Sequence, residues 1–284
     1  MKRLAFVPVV CIALCSSIAN ADQIGGYSSE FGQKAIKAET PQRFMFELKF
    51  TPYTPHIDHS KGLNGKTPFA DLFNSRNYND AGVITNEGQQ PGYKLLTTVE
   101  FDVEFLRRFW GTVAVGLTTG FYRRTTHAFN LNMDGTSCSP LSTCVRSGDE
   151  SGLNIVPLSA LIIYRFDTLA NHYKIPIVPY VKLGLAYYIW WMNDGNGILS
   201  ASQKPFASPQ SAYGGSFGFV LHPGIAIQLD FLERRVAKGM DMELGINHTY
   251  IFCELNYANV NGFGASNKLD LSDTMVNTGF AFEF

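Results

Sequence analysis

The feature that most constrains the fold is a strict two-residue alternation of apolar and polar side chains, and it is clearest in the last eight residues. Three phenylalanines alternate there with small or polar residues: Phe280, Phe282 and Phe284 with Gly279, Ala281 and Glu283. This period is that of a β-strand whose two faces meet different surroundings. So regular an aromatic stripe is typical of a lipid-facing strand in a closed barrel, because the bilayer replaces a protein core on that face.

Seven further segments show the same alternation. With the last one they predict eight strands, at about 43–50, 93–105, 113–121, 153–166, 177–191, 217–229, 240–257 and 276–284. No run of about 18 apolar residues occurs beyond the N-terminus, so a transmembrane helix is not expected there. The pattern predicts an all-β fold, an antiparallel up-and-down transmembrane β-barrel of eight strands over residues 43–284.

The connections between these strands alternate in predicted length. Residues 51–92, 123–152 and 193–212 form long loops, residues 106–109, 167–175 and 230–239 form short ones, and residues 258–269 are intermediate. Bacterial outer-membrane barrels show this asymmetry, with long extracellular loops and short periplasmic turns. Within them, Pro68–Phe73 predicts a short helical turn, and Pro223 predicts a bulge or a broken hydrogen bond in strand six.

The polar faces of the strands carry many charges. Strand two places Glu100, Asp102 and Glu104 in succession on one face, which a dry core would not tolerate but a polar lumen can pair. The predicted lumen network comprises Glu47, Lys49, Glu100, Asp102, Glu104, Arg165, Lys182, His248 and Glu254. Because the interior of an eight-stranded barrel is about wide enough for side chains alone, we expect these residues to plug it.

The N-terminus reads as a secretory signal peptide of residues 1–21. Lys2 and Arg3 precede an apolar stretch, and Ala19-Asn20-Ala21 forms a cleavage site. A lipoprotein reading at Cys15 is disfavoured by the bulky Leu14 before it. Residues 22–42 would then form a flexible periplasmic lead-in. Cleavage leaves a mildly acidic exported chain, which disfavours nucleic acid as a partner.

Cys138 and Cys144 lie six positions apart in a polar stretch. In an exported protein this spacing predicts a small disulfide, worth roughly 2 kcal/mol in the chain-entropy model. A metal or redox pair is the rival interpretation, but no further ligands lie nearby in the sequence. Cys253 lies in an alternating apolar run and is expected to be an unreactive packed or lipid-facing thiol.

Candidate chemistry is sparse. His56 and His59 on an irregular loop are weak evidence for a metal site. On strand seven, His248, Tyr250 and Glu254 share a face. Lipid A deacylases of the outer membrane use a histidine with a serine two residues later. Here that position is Tyr250, so the expected nucleophile is missing. No phosphate loop or dinucleotide fingerprint is present, so we expect neither a cofactor nor a catalytic site.

The end of the chain resembles the signal by which the outer-membrane assembly machinery recognises barrel substrates, with Asn277, Gly279, Phe282 and Phe284 in its slots. The mature chain is also similar to an uncharacterised family of outer-membrane β-barrel proteins of myxobacteria and related bacteria. The similarity rests on Pro52–Asp58, Tyr164–Asp167, Glu243–Tyr250 and Val260–Gly264. It implies fold, location and contact with outer-membrane lipid and lipopolysaccharide, but no activity.

The leading hypothesis is therefore a Gram-negative outer-membrane barrel with a plugged polar lumen and a non-enzymatic binding, adhesion or envelope-structural role. Two alternatives remain open. One is a narrow solute pore, and the other is a lipid A-modifying enzyme that uses His248. The sequence identifies no extracellular ligand.

Overall fold

The computed structural model describes residues 43–73, 91–108, 110–129, 146–194, 197–198, 200–201, 210–230, 232 and 245–284. All of them belong to one unit that extends from Gln42 to Phe284. The predicted signal peptide (1–21) and lead-in (22–42) lie outside the described residues, as do Cys138 and Cys144 with their predicted disulfide.

Eight strands of ten or more residues make up the fold. They are β1 (Phe44–Tyr53), β2 (Lys94–Arg108), β3 (Gly111–Phe129), β4 (Arg146–Arg165), β5 (Ile177–Asp194), β6 (Tyr213–Gln228), β7 (His248–Asn259) and β8 (Asp273–Glu283). Two short helices, α1 (Pro68–Phe73) and α2 (Thr168–Asn171), lie between strands, so the helical turn predicted at 68–73 is confirmed. Single 3₁₀ turns occur at Ile57–His59, Lys61–Leu63 and Gly262–Gly264.

The strands close into a barrel. Each strand pairs in antiparallel fashion with the strands before and after it in sequence, and β1 also pairs with β8. At this closure Met45 lies opposite Glu283 and Phe50 opposite Thr278. The predicted eight-stranded up-and-down barrel is therefore confirmed, and it leaves no open sheet edge. Among the described residues, no helix is long and apolar enough to span a membrane.

We call the two ends of the barrel the terminal end and the loop end. At the terminal end lie Phe44 and Phe284, whose backbones are hydrogen bonded. At the loop end, β1, β3, β5 and β7 finish and lead into the connections that follow them.

The outer wall is apolar and the interior holds the charges. Large side chains point outward on strands all around the barrel; Leu117 on β3 and Leu185 on β5 are 69% and 67% exposed. The inward positions include buried charged residues such as Glu100 and Lys182. This distribution is the reverse of that in a water-soluble domain, in which charges are almost never fully buried unless they are paired.

Several strand boundaries differ from the predicted ones. β3 and β4 extend to Phe129 and back to Arg146, well into the predicted loop 123–152, because they continue as a two-stranded hairpin beyond the barrel wall. β7 begins at His248 rather than near Met240, with Gly245–Asn247 outside the strand. β7 therefore begins about eight residues later than predicted.

Pro223 produces no bulge. β6 keeps one register against β7 on both sides of it, with Gly224 opposite Glu254 and Leu221 opposite Tyr257. The two positions between these pairs lack ladder partners on β7, while Pro223 still lies opposite Val181 of β5. The structure therefore matches the second of the two predicted outcomes, an interrupted ladder at the residue that has no N–H to donate.

Candidate functional site

The interior of the barrel is divided into two layers. Towards the loop end, buried apolar residues such as Tyr53, Tyr122, Ile155 and Leu271 form one cluster. The middle of the barrel and the terminal end hold the charged residues, with a second, smaller apolar cluster around Tyr250 and Phe252. The charged layer is the candidate functional site, because buried charges are costly and persist only when they are paired or used.

Two lysines lie at the centre of the charged layer. Lys49 on β1 donates to Glu100 at 2.7 Å and to Glu254 at 3.1 Å. Lys182 on β5 is bonded to Glu47 and Glu100. The three carboxylates that lie near both ammonium groups come from β1, β2 and β7, whereas Lys182 comes from the opposite wall. The ion pairs therefore cross the lumen instead of lining one side of it.

A second group of charges continues the network towards the terminal end. Arg165 on β4 pairs with Asp102 and, at 3.1 Å, with Glu104. Arg107 lies 2.9 Å from Glu104 and 2.8 Å from Glu283. Each guanidinium therefore bridges at least two carboxylates, which its several N–H donors allow.

Glu254 on β7 joins the charged core to neutral partners. It accepts hydrogen bonds from Tyr180 at 3.0 Å and from the amide of Asn277 at 2.7 Å. The Asn277 oxygen in turn accepts from Thr51 at 2.8 Å. Asn277, a residue of the predicted assembly signal, thus lies inside the lumen, where its amide completes the shell of a buried carboxylate.

The other residues of the predicted assembly signal lie on both faces of β8. Phe282 and Phe284 point outward, whereas Gly279 faces the lumen beside the ring of Phe252. A Cβ on Gly279 would lie 2.0 Å from the carbonyl oxygen of Leu48 and 2.9 Å from the Phe252 ring. Close approach of a neighbouring strand and an aromatic ring therefore requires glycine at this position.

Three carboxylates approach one another closely enough to share a cation. Oxygen atoms of Glu47, Glu100 and Asp102 lie within 4.8 Å of one another. Lys182 and Arg165 already contact this group, so basic side chains supply the positive charge that a metal ion would bring. One oxygen of Asp102 is buried without a hydrogen-bond partner.

The terminal end of the lumen contains a small cavity. It has a volume of about 20 Å³ and is lined by polar residues such as Glu104 and His248 together with apolar ones such as Met45 and Val178. A polar space of this size holds about one water molecule.

His248 lies at the terminal end, away from the lysine core. Its Nδ1 contacts Asp230 and lies 2.7 Å from the amide nitrogen of Gln228. Partial burial raises the pKa of Asp230, but hydrogen bonds from His248 and Gln228 outweigh burial and hold that pKa below its ordinary value.

The three residues that share a face of β7 therefore do not form one site. Glu254 is bonded to Lys49 in the centre, and the hydroxyl of Tyr250 donates to Glu283 at 2.6 Å. Among the described residues, no serine or threonine hydroxyl is hydrogen bonded to His248, so a nucleophile and base in contact are not found there.

The first connection covers the loop end. Asp58 accepts hydrogen bonds from the backbone amides of Phe69 and Ala70, at 2.8 and 2.9 Å, and thereby caps α1. Phe69 and Phe73 of α1 are buried in the apolar cluster. Arg124 on β3 stacks over the Phe69 ring and donates to the carbonyl oxygen of Gly92 at 2.6 Å.

Several residues of the site were not among those selected from the sequence. Arg107, Tyr180 and Glu283 belong to the polar network, and Asp58 organises the cover of the loop end. Tyr180 and Glu283 lie on the inward face of strands already recognised, so the period-two pattern alone could have identified them. Arg107 was assigned to a turn because β2 was predicted to end at Phe105, three residues early.

The lumen also contains polar groups that no described residue satisfies. Both ring nitrogens of His222 and the side-chain oxygen of Asn256 are buried without hydrogen-bond partners. His222 Nδ1 lies 3.6 Å from Glu254, beyond hydrogen-bond distance. These groups mark the boundary between the charged layer and the apolar layer, where a bridging water has polar partners.

No protein-family model matches the sequence, and no curated protein matches it. Among solved structures, the fold is similar to that of Ail, the attachment invasion locus protein of Yersinia pestis, which was crystallised with the heparin analogue sucrose octasulfate. The sequence identity with Ail is 9% and the TM-score is 0.38. The match covers 86% of this chain and 97% of Ail. Neisserial surface protein A has 10% identity and a TM-score of 0.37 over 86% and 98% of the two chains. OprG from Pseudomonas aeruginosa has 11% identity and a TM-score of 0.38 over 86% and 96%.

Proposed function

We propose that this chain is an integral outer-membrane β-barrel protein without enzymatic activity, whose lumen is plugged and whose function resides at the loop end. The observation that carries the proposal is the reversed distribution of side chains: a closed wall with large apolar residues outside and paired charges inside. A wall of this kind is stable only when its outer face meets lipid.

The orientation follows from the termini. In bacterial barrels with an even number of strands, both termini lie on the periplasmic side, which places the loop end outside the cell. The proposal includes a signal peptide of residues 1–21. It also includes recognition by the assembly machinery of four residues at the end of the chain: Asn277, Gly279, Phe282 and Phe284. The proposal further includes a disulfide between Cys138 and Cys144 and membership of the myxobacterial-type family.

The lumen geometry supports a plugged barrel over a solute pore. Lys182 reaches from β5 to carboxylates on β1 and β2, and a hydrated ion passing this level would have to separate these pairs. We expect planar bilayers containing the purified protein to show no stable single-channel steps. Reproducible steps that disappear on addition of a specific antibody to the loops would establish the pore instead.

The lipid A enzyme is the weaker alternative. Lipid A lies in the outer leaflet, whereas the proposed orientation places His248 at the periplasmic end. We expect the acyl pattern of lipid A, measured by mass spectrometry, to be the same with and without the protein. A changed pattern that His248→Ala abolishes would overturn the non-enzymatic assignment.

The location itself is tested by cell fractionation together with gel mobility. The protein is expected in the outer-membrane fraction, and an unboiled sample is expected to migrate differently from a boiled one, because a closed barrel resists detergent at ambient temperature. A protein found in the periplasmic fraction, with one mobility in both samples, would contradict the proposal.

A further inference from the structure

The connection between β7 and β8 presents an exposed phenylalanine in a backbone conformation that phenylalanine disfavours. Phe263 has φ 55° and ψ 34°, and its neighbours Gly262 and Gly264 have φ 64° and 80°. Three consecutive residues thus lie in the left-handed region, which a bulky side chain rarely adopts. Phe263 is 71% exposed, so packing within the chain does not repay the strain.

The turn is held firmly in this conformation. The side chain of Asn261 accepts a hydrogen bond from the Gly264 amide at 3.0 Å. Val260, just before the turn, is fixed as well, because its amide donates to Ser272 at 2.9 Å and its carbonyl oxygen accepts from the Leu271 amide at 2.9 Å. A strained and exposed aromatic residue on a well-anchored turn points to a role in binding.

Two lysines from distant parts of the chain flank this turn. A Cβ on Gly264 would lie 2.9 Å from Lys61 Nζ, and a Cβ on Gly262 would lie 2.6 Å from Cγ of Lys268. Lys61 comes from the first connection, which touches the last one directly, since a Cβ on Gly62 would lie 2.2 Å from the carbonyl oxygen of Ser266. No described residue forms an ion pair with either lysine.

We propose that Phe263, Lys61 and Lys268 bind the phosphorylated saccharide headgroup of lipopolysaccharide. The Phe263 ring offers an apolar face on which the C–H face of a sugar ring packs. The two ammonium groups supply the positive charge that a sugar phosphate requires. The inference rests on the proposed function, because it needs the loop end to lie at the outer surface of the outer membrane.

The turn lies near the rim of the barrel, and this position favours a saccharide of the surrounding membrane over a saccharide from another source. Gly262 follows Asn259, the last residue of β7, by three positions, which spans roughly 10 Å at about 3.3 Å per residue. Tyr257, two residues before that strand end, still points outward from the barrel wall. Phe263 is therefore close to the rim, where the headgroups of the outer leaflet begin.

The test uses the full mature protein in detergent micelles and the deacylated, phosphorylated core oligosaccharide of lipopolysaccharide as the probe, with binding measured by calorimetry. We expect Phe263→Gly and the double variant Lys61→Gln/Lys268→Gln each to weaken binding by about tenfold or more. Lys66→Gln, which removes an exposed lysine from the same connection, is the matched control and should bind normally. Phosphatase treatment of the probe should weaken binding by the wild type as much as the double lysine variant does.

Phe263→Gly also separates binding from folding. Glycine adopts positive φ without strain, so this variant should resist heat at least as well as the wild type in the gel-mobility assay. Wild-type and Phe263→Gly proteins that bind the probe equally would overturn the site, as would loss of binding in Lys66→Gln. Binding of heparin but not of the core oligosaccharide would overturn the lipopolysaccharide source. Absence of wild-type binding in a protein that inserts and shifts normally would reject this inference and leave the proposed function standing.

Discussion

Lys182 of β5 places its ammonium group 2.5 Å from a carboxylate oxygen of Glu47 on β1, although these two strands stand on opposite walls of the barrel. Strand order puts three strands between them on either side. The ion pair therefore crosses the lumen from one wall to the other. Such a pair is worth little as an addition to stability, but breaking it is costly because the remaining charge stays buried.

Replacing Lys182 with methionine should therefore destabilise the barrel by about 3–5 kcal/mol, since Glu47 and Glu100 lose a buried cationic partner. The free energy of unfolding in urea, followed by tryptophan fluorescence in lipid vesicles, measures the effect. Lys66→Met, at an exposed position, is the control and should change little.

The same pair allows a double-mutant cycle. Glu47→Gln combined with Lys182→Met should cost less than the sum of the single variants, because the two groups interact directly. Additive costs, or a Lys182→Met variant as stable as the wild type, would show that the cross-lumen pair does not form.

The cover of the loop end depends on one carboxylate. Asp58→Asn replaces one carboxylate oxygen with an N–H donor. This donor faces a backbone amide of α1, so one of the two hydrogen bonds from Phe69 and Ala70 is lost. We expect the local stability to fall by about 1–3 kcal/mol. Hydrogen exchange at Phe69 and Ala70 should accelerate while the barrel strands keep their protection. Asp71→Asn is the control, and equal exchange in both variants would refute the capping role.

Deletion of Phe284 separates the role of this residue in the assembly signal from its contribution to apolar packing. Deletion of Phe284 should reduce the amount of folded barrel in the outer membrane far more than Phe280→Ala, although both rings point outward and are similarly exposed. The measurement is the heat-shifted fraction on gels of isolated outer membranes. Equal yields for the two variants would mean that only lost apolar area matters.

The barrel itself was predictable because its strands separate two different surroundings. Along β2 and β8 every second residue lies on the exposed outer face and the others face the lumen, so the sequence itself alternates. The period also identified most of the charged lumen residues, since an inward face is defined as soon as an outward one is known.

Other parts could not be predicted in this way. The hairpin of Thr126–Phe129 and Arg146–Ser151 extends beyond the strands that pair with β5, and the sequence there no longer alternates. His248 was grouped with Glu254 because they share a face of β7, but six residues of extended strand place them at different depths. The positions of Lys61 and Lys268 beside the turn at Gly262–Gly264 depend on loop packing, for which no sequence period exists.

In the proposed function the apolar outer wall is embedded in lipid, and site-directed spin labelling reports that contact at single residues. A nitroxide at Leu185, introduced after replacement of the native cysteines and reconstitution into bilayers, should be reached by oxygen dissolved in lipid and not by a water-soluble nickel chelate. Labels at the neighbouring outward positions Leu183 and Leu117 should behave alike. A label at Leu185 that the nickel chelate reaches freely, with little access for oxygen, would contradict the account.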